Sequence, residues 1–203
     1  MPEIWLARHG ATEWSRSGQH TGSTDLPLIE DGKREARSMG PRLANIRFSL
    51  VMSSPMRRAR ETARLAGYSR VEVTDLLREV DYGEYEGMTT KDIQKRRPQW
   101  ELFRDGCPGG ETPEQVAARM DQLLLDLADE PGPVLLFGHG HCLRAMATRY
   151  LGLPIWVAGL LRLDAGTLGT LGEEHGHVAL KLWNETALRE PEGTSMAGFP
   201  HPR

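Results

Sequence analysis

Cysteine is scarce in this chain: Cys107 and Cys142 are the only two, and neither stands in a Cys-x-x-Cys spacing. That excludes a disulfide scaffold. Long apolar runs are missing as well. No stretch approaches the ~18 apolar residues of a membrane span, and the N-terminus carries no apolar signal region, so the expected setting is cytoplasmic with no membrane partner. An excess of one charge is also absent, since 25 Lys and Arg stand against 28 Asp and Glu for a net charge of −3. Nothing pulls the chain as a whole toward nucleic acid, and an anion site has to be a local cluster of cations.

What is present is an ordinary globular composition, 39% hydrophobic and 26% charged over 203 residues. One domain is expected over residues 1–184, with the polar, Pro- and Gly-rich segment 185–203 as a flexible tail. Apolar runs at 3–8, 48–52 and 133–137 read as buried strands; shorter ones are expected at 71–73, 160–163, 167–171 and 178–183. Between them lie helical patterns. Ala36, Met39, Leu43 and Ile46 share one face, with Pro41 expected to kink or interrupt that helix. Ser54 and Pro55 read as the N-cap and first position of the next helix. Thr89 to Arg97 is a short helix stopped by Pro98, and Thr112-Pro113-Glu114-Gln115 is a capping box opening a helix with Val116, Met120, Leu123 and Leu127 inside. A further helix runs through Leu143 to Tyr150. Residues 10–29 read as a long polar loop. Strands alternating with helices predict an α/β fold with a mostly parallel central sheet and helices on both faces.

In such sheets ligands gather at the carboxyl ends of the strands. Arg8-His9-Gly10 and Gly138-His139-Gly140 both fall at such ends, which makes two weak motifs one candidate site. Arg8 and Arg58 bring guanidinium forks suited to phosphate oxygens, and Arg58 lies in the first turn of its helix, where free N–H groups favour an anion. Arg57, Arg60 and Arg64 read instead as a solvated basic face. A neutral imidazole can attack phosphorus. Nearby arginines depress its pKa, and a second histidine can donate to the transferring group. A leaving alkoxide needs a proton; Glu79, Asp81, Glu84 and Glu86 are the candidates, and spacing does not choose among them. His139-x-His141 has a metal-ligand spacing, but no further ligand follows closely and Arg144 would oppose a cation, so no metal and no cofactor is expected.

Arg8-His9-Gly10 with Thr12-Glu13-Trp14, Ser53-Ser54-Pro55-Met56-x-Arg58, Leu77-x-Glu79 running into Gly83-x-Tyr85-Glu86-Gly87, Gly110-Glu111-Thr112 with Arg119, and Gly138-His139-Gly140 together resemble the histidine phosphatase superfamily, its phosphoglycerate-mutase-like branch. The resemblance implies His9 as phosphorylated nucleophile, Glu79 as proton donor, and Arg8, Arg58 and His139 as the phosphate pocket, with residues near 80–130 as a helical partial lid. Ile29 departs from the Thr that usually caps the first long helix. Trp14 to Gly22 and Asp105 to Thr112 are similar to a subgroup of small acid phosphatases and sedoheptulose-1,7-bisphosphatase-type enzymes. That places His20, Thr21, Asp81, Tyr82, Gly140 and Arg144 on the substrate side.

The expected activity is metal-independent hydrolysis of a small phosphorylated metabolite, a sugar phosphate or bisphosphate, through a phosphohistidine. The alternatives are a phosphoglycerate mutase, which needs a more enclosed site, and a non-catalytic phosphate-binding protein. Trp14 is read as an aromatic wall of the site. Trp156, Val157 and Leu160 are read as core rather than partner surface, and the oligomeric state, a homodimer among the options, is left open.

Overall fold

The computed structural model describes residues 1–186. Its strands are β1 (Ile4–Arg8), β2 (Leu50–Ser53), β3 (Glu72–Val73), β4 (Val134–Gly138), β5 (Thr167–Glu174) and β6 (His177–Thr186). They form a six-stranded sheet in the order β3-β2-β4-β1-β5-β6. β3, β2, β4 and β1 run parallel, whereas β5 is antiparallel to β1 and β6 to β5. The α/β class is the one the chain pattern predicts. The antiparallel edge follows from chain length: only His175 and Gly176 separate β5 from β6, both with positive φ (52° and 78°), and a two-residue turn of that kind closes a hairpin.

β1 and β4 lie at the centre and are apolar on both faces, as parallel strands covered on both sides must be. Side chains alternate across them. Ile4, Leu6, Val134 and Leu136 pack with α6 (Pro113–Leu127) and α7 (Gly140–Tyr150). Trp5, Ala7, Leu135 and Phe137 pack on the opposite face with α2 (Glu30–Leu43) and α3 (Arg57–Leu65). Each such side chain contributes about 1.5–3 kcal/mol of burial, so this double-faced pair anchors everything at its tips. α6 begins at the expected capping box, Thr112 with Gln115, and buries Val116, Met120, Leu123 and Leu127.

Several local expectations are corrected. The segment after β1 is not a structureless loop: α1 (Glu13–Ser17) is opened by a reciprocal Thr12–Ser15 capping box. Pro41 sits inside α2 without ending it; the helix stops two residues later at Leu43. Ile29 stands at the N-cap of α2 with no side-chain bond, yet the helix forms. α3 starts at Arg57, with Met56 rather than Ser54 at its N-cap; the Ser54 hydroxyl accepts from Met56 N at 3.3 Å, one turn position too early to cap the helix. Leu160 to Leu163 is no strand. It follows a 3-10 helix at Ile155–Leu160 in which Trp156 and Leu160 are exposed rather than core. α4 (Thr90–Arg96) and α5 (Leu102–Asp105) lie in the segment read as a lid. β6 runs through Thr186, two residues into the segment read as a tail; the rest of that segment lies outside the described residues.

Candidate active site

The sheet register builds the centre of the site. Arg8 is paired with Gly138 and Ser53 with Phe137, so three adjacent parallel strands end at one level. The next residues, His9, His139 and Ser54, continue the ladder: His9 N donates to Gly138 O and Ser54 N to Phe137 O. The His9 and His139 rings therefore lie 5.1 Å apart, centroid to centroid. The chain can turn sharply after His9 because Gly10 and Gly32 meet backbone to backbone. A Cβ on Gly10 would fall 2.1 Å from Gly32 O.

His9 Nδ1 lies 2.8 Å from the Gly10 carbonyl. A carbonyl only accepts, so Nδ1 carries the proton and Nε2 of the neutral ring keeps its lone pair. Burial, then the charges of Arg58 and Arg8, hold the His9 pKa well below its ordinary value. The ring is unprotonated at neutral pH.

His139 is fixed just as firmly. Arg58 Nε donates to its Nδ1 at 3.0 Å, so the ring hydrogen sits on Nε2, 2.7 Å from Ser54 Oγ. Arg58 is fully buried. It also donates from Nη1 to Thr24 O (2.9 Å) and from Nη2 to Thr21 O and Gly22 O (3.0 and 3.1 Å). From the other side the Glu86 carboxylate accepts from Gly22 N and Thr24 N. The 21–24 loop is thus clamped by a cation on its carbonyls and an anion on its amides.

Above this floor lies a cavity of about 220 Å³. Arg8, His9, His20, Thr21, Glu79, Tyr82, Gly140 and Arg144 line it. Arg58 and His139 lie beneath rather than in its wall, with both nitrogens of His139 and most donors of Arg58 already engaged. That corrects the reading of Arg58 as an open fork and of His139 as a free donor. Asp81 is corrected outright. It is exposed, its carboxylate accepts from Gly83 N, its backbone is tied to Glu111, and it is not in the wall. Trp14 packs over Gly87 instead of facing the cavity. Arg57, Arg60 and Arg64 are exposed along a separate open groove beside α3.

Arg8 lies against Gly140, where an added Cβ would come within 3.1 Å of its Cζ. One Nη1 bond goes to Leu163 O, while its Nε is buried with no partner among the described residues. Of the four acidic candidates, only Glu79 reaches the cavity: Glu84 is exposed and Glu86 holds the loop. Its carboxylate is seated on the N-terminus of α7, accepting from Cys142 N (2.8 Å) and His141 N (3.1 Å) as well as Val80 N (3.0 Å). Arg119 braces the same stretch, donating to Leu76 O and Arg78 O while held bidentate by Glu111 at 2.8 and 2.9 Å.

Sequence reasoning missed His141, which lines the cavity with Nδ1 2.6 Å from Tyr82 Oη. It was visible only as part of a metal-like spacing. Thr90 was missed too; its hydroxyl lies 3.2 Å from His20 Nε2. His20 is packed on Tyr82, and burial lowers its pKa to about 4.

Residues 4–186 match the histidine phosphatase superfamily (branch 1). The chain belongs to the histidine phosphatase superfamily. Within it, an acid phosphatase of Mycobacterium tuberculosis is 38% identical over 192 residues, covering 93% of this chain and 95% of that one. A sedoheptulose 1,7-bisphosphatase of Saccharomyces cerevisiae is 35% identical over 188 residues, with 76% and 69% covered. The solved mycobacterial glucosyl-3-phosphoglycerate phosphatase superposes with a TM-score of 0.81 at 29% identity, covering 92% of this histidine phosphatase chain and all of that one.

Proposed function

We propose that this histidine phosphatase hydrolyses phosphate monoesters of small metabolites in two displacements through His9. The observation that carries the reading is the His9 imidazole: neutral, its Nδ1–H fixed on Gly10 O, its Nε2 without a protein partner, in the wall of a cavity that also holds Arg8 and Glu79.

In the first displacement the Nε2 lone pair attacks phosphorus and the P–O bond to the leaving group breaks. Glu79, in the same cavity wall, gives its proton to the departing alkoxide. In the second, water attacks the phosphohistidine, the P–N bond breaks back to the imidazole, and Glu79 takes the water's proton. Arg8, in the cavity wall, meets a phosphoryl oxygen, and the buried Arg58 adds charge from below, with His139 and the 21–24 loop holding it there. His20, Thr21, Tyr82, Gly140 and Arg144 bound the space for the leaving group.

Brief mixing with a radiolabelled phosphomonoester and acid-free quenching tests this. An acid-labile, base-stable label on His9, lost in His9→Ala with turnover, is the expected result. Turnover by His9→Ala near the wild-type rate overturns it. Release of phosphate without 2,3-bisphosphoglycerate separates hydrolysis from mutase chemistry.

A further inference from the structure

Beside the reaction cavity lies a second recess of about 350 Å³. The two share four wall residues, His20, Thr90, His141 and Arg144. Space alone gives the recess a role. A volume near 220 Å³ is under the ~300–1,000 Å³ of ordinary small-molecule sites, whereas the two together fall within that range. A phosphoryl group and a short leaving group fill the first; anything longer has to enter the second.

The chemistry of the recess is uneven. Leu102, Phe103, Trp156 and Leu160 contribute apolar surface, and Trp156 and Leu160 remain 40% and 73% exposed at its mouth. Single exposed apolar residues need no explanation, but two on one short 3-10 helix rimming a recess next to a reaction site do. Charge is sparse. Arg104 donates to Glu101 at 2.6 Å and lies over the Trp156 ring at 4.7 Å, so its charge is offset within the wall. Arg144, at the junction, is held by Ala158 O and Gly159 O through Nε and Nη2 and lies over Phe103, leaving Nη1 without a protein acceptor. A second phosphate is best held by uncompensated cations; the recess offers one, Arg144, and an exposed carboxylate, Glu101.

We infer that the recess is the leaving-group site, and that this enzyme selects phosphomonoesters whose alcohol carries an aryl or comparably apolar tail, with Arg144 taking an acceptor oxygen between tail and phosphate. The inference rests on the hydrolysis proposed above and narrows its substrate class away from bisphosphates.

The test compares kcat/KM for propyl phosphate, 3-phenylpropyl phosphate and fructose 1,6-bisphosphate; the two alkyl esters have similar alkoxide leaving groups, so intrinsic reactivity is matched. Burying one phenyl group predicts a preference for 3-phenylpropyl over propyl phosphate of about 10- to 100-fold. Trp156→Ala should reduce that ratio several-fold, and Leu160→Asp should do so by placing a charge at the mouth. Both positions are exposed, so neither change endangers the fold, and far-UV circular dichroism checks it. Equal use of the two alkyl esters, or a preference for fructose 1,6-bisphosphate over 3-phenylpropyl phosphate, overturns the recess assignment while leaving phosphatase activity standing. Hydrolysis of none of the three overturns the phosphatase reading and this one with it.

Discussion

Replacing Arg58 with Met separates two views of that residue. As an open phosphate ligand, Arg58 would be a buried cation beside Arg8, and its removal should stabilise the free protein. As the clamp described above, it holds His139 Nδ1 and the carbonyls of Thr21, Gly22 and Thr24. Met keeps most of the volume and the flexibility to fill it, so the cavity penalty is small and the comparison is between desolvation regained and bonds lost. Hydrogen bonds to a charged donor are worth about 1.5–3 kcal/mol each, and four are lost. Recovering the cation's desolvation returns several kcal/mol. Left behind are three carbonyls and a ring nitrogen whose own desolvation is no longer offset, and a buried acceptor left unpaired costs about 1–3 kcal/mol. We therefore expect Arg58→Met to lose about 3 kcal/mol or more, a large share of a typical 5–15 kcal/mol, read as a fall in the urea midpoint at unchanged m. Turnover should fall with it as the floor under His9 loosens. A midpoint equal to or above wild type would refute the clamp.

Two further outcomes follow from the same geometry. His9, His139 and His141 are held well below their ordinary pKa and His20 near 4, in each case chiefly by burial. Because the unfolded chain protonates first, their contribution is complete above about pH 6.5 and is lost as pH falls toward the folded values. Between pH 7.5 and 5, His20 alone accounts for about 2 kcal/mol at ~1.4 kcal/mol per pH unit, so urea midpoints should drop over that range and His20→Gln should flatten the drop; an unchanged slope in the variant would contradict the assignment. For Glu79→Gln we expect kcat on alkyl phosphates to fall about 10²- to 10⁴-fold, while an aryl phosphate with an acidic phenol still phosphorylates His9, because that leaving group needs no proton. Equal losses on both ester types, measured in single-turnover experiments, would remove Glu79 from the proton path.

How much of this was legible depended on whether a feature is local. β1, β4 and α6 were readable because continuous apolar runs and a capping box state their own structure. The pairing of His9 with His139 was readable as two strand tips in one parallel sheet. α1 was hidden in a polar segment, although Thr12 and Ser15 are a short capping box without the usual Glu or Gln. The β5–β6 hairpin was written in His175-Gly176, a turn signal outweighed by the alternation of helices and strands elsewhere. What spacing does not carry is direction. Asp81 and Glu79 are two residues apart in an irregular stretch, and only the bonds from α7 and Arg119 turn one inward and leave the other in solvent.

The same bonds tie the parts of the site to one another. β4 ends at Gly138, and the next residue, His139, is the N-cap position of α7; the first amides of α7 seat Glu79, and the His139 ring accepts from Arg58. Arg58 then fixes the loop whose Thr21 lines the cavity. Thr62, one turn along α3, donates to Arg58 O and accepts from Gly10 N, so the residue after His9 is tied to the helix that carries Arg58. The His9 turn, Glu79 and the floor are therefore one hydrogen-bonded unit grown from two neighbouring strand ends. A one-residue slip of β1 against β4 would turn His9 away from His139 and break the ties through His9 N and Gly10 N. Register is protected by the double-faced burial of Ile4 to Ala7 and Val134 to Phe137, so the core of the sheet is also what aims the imidazole.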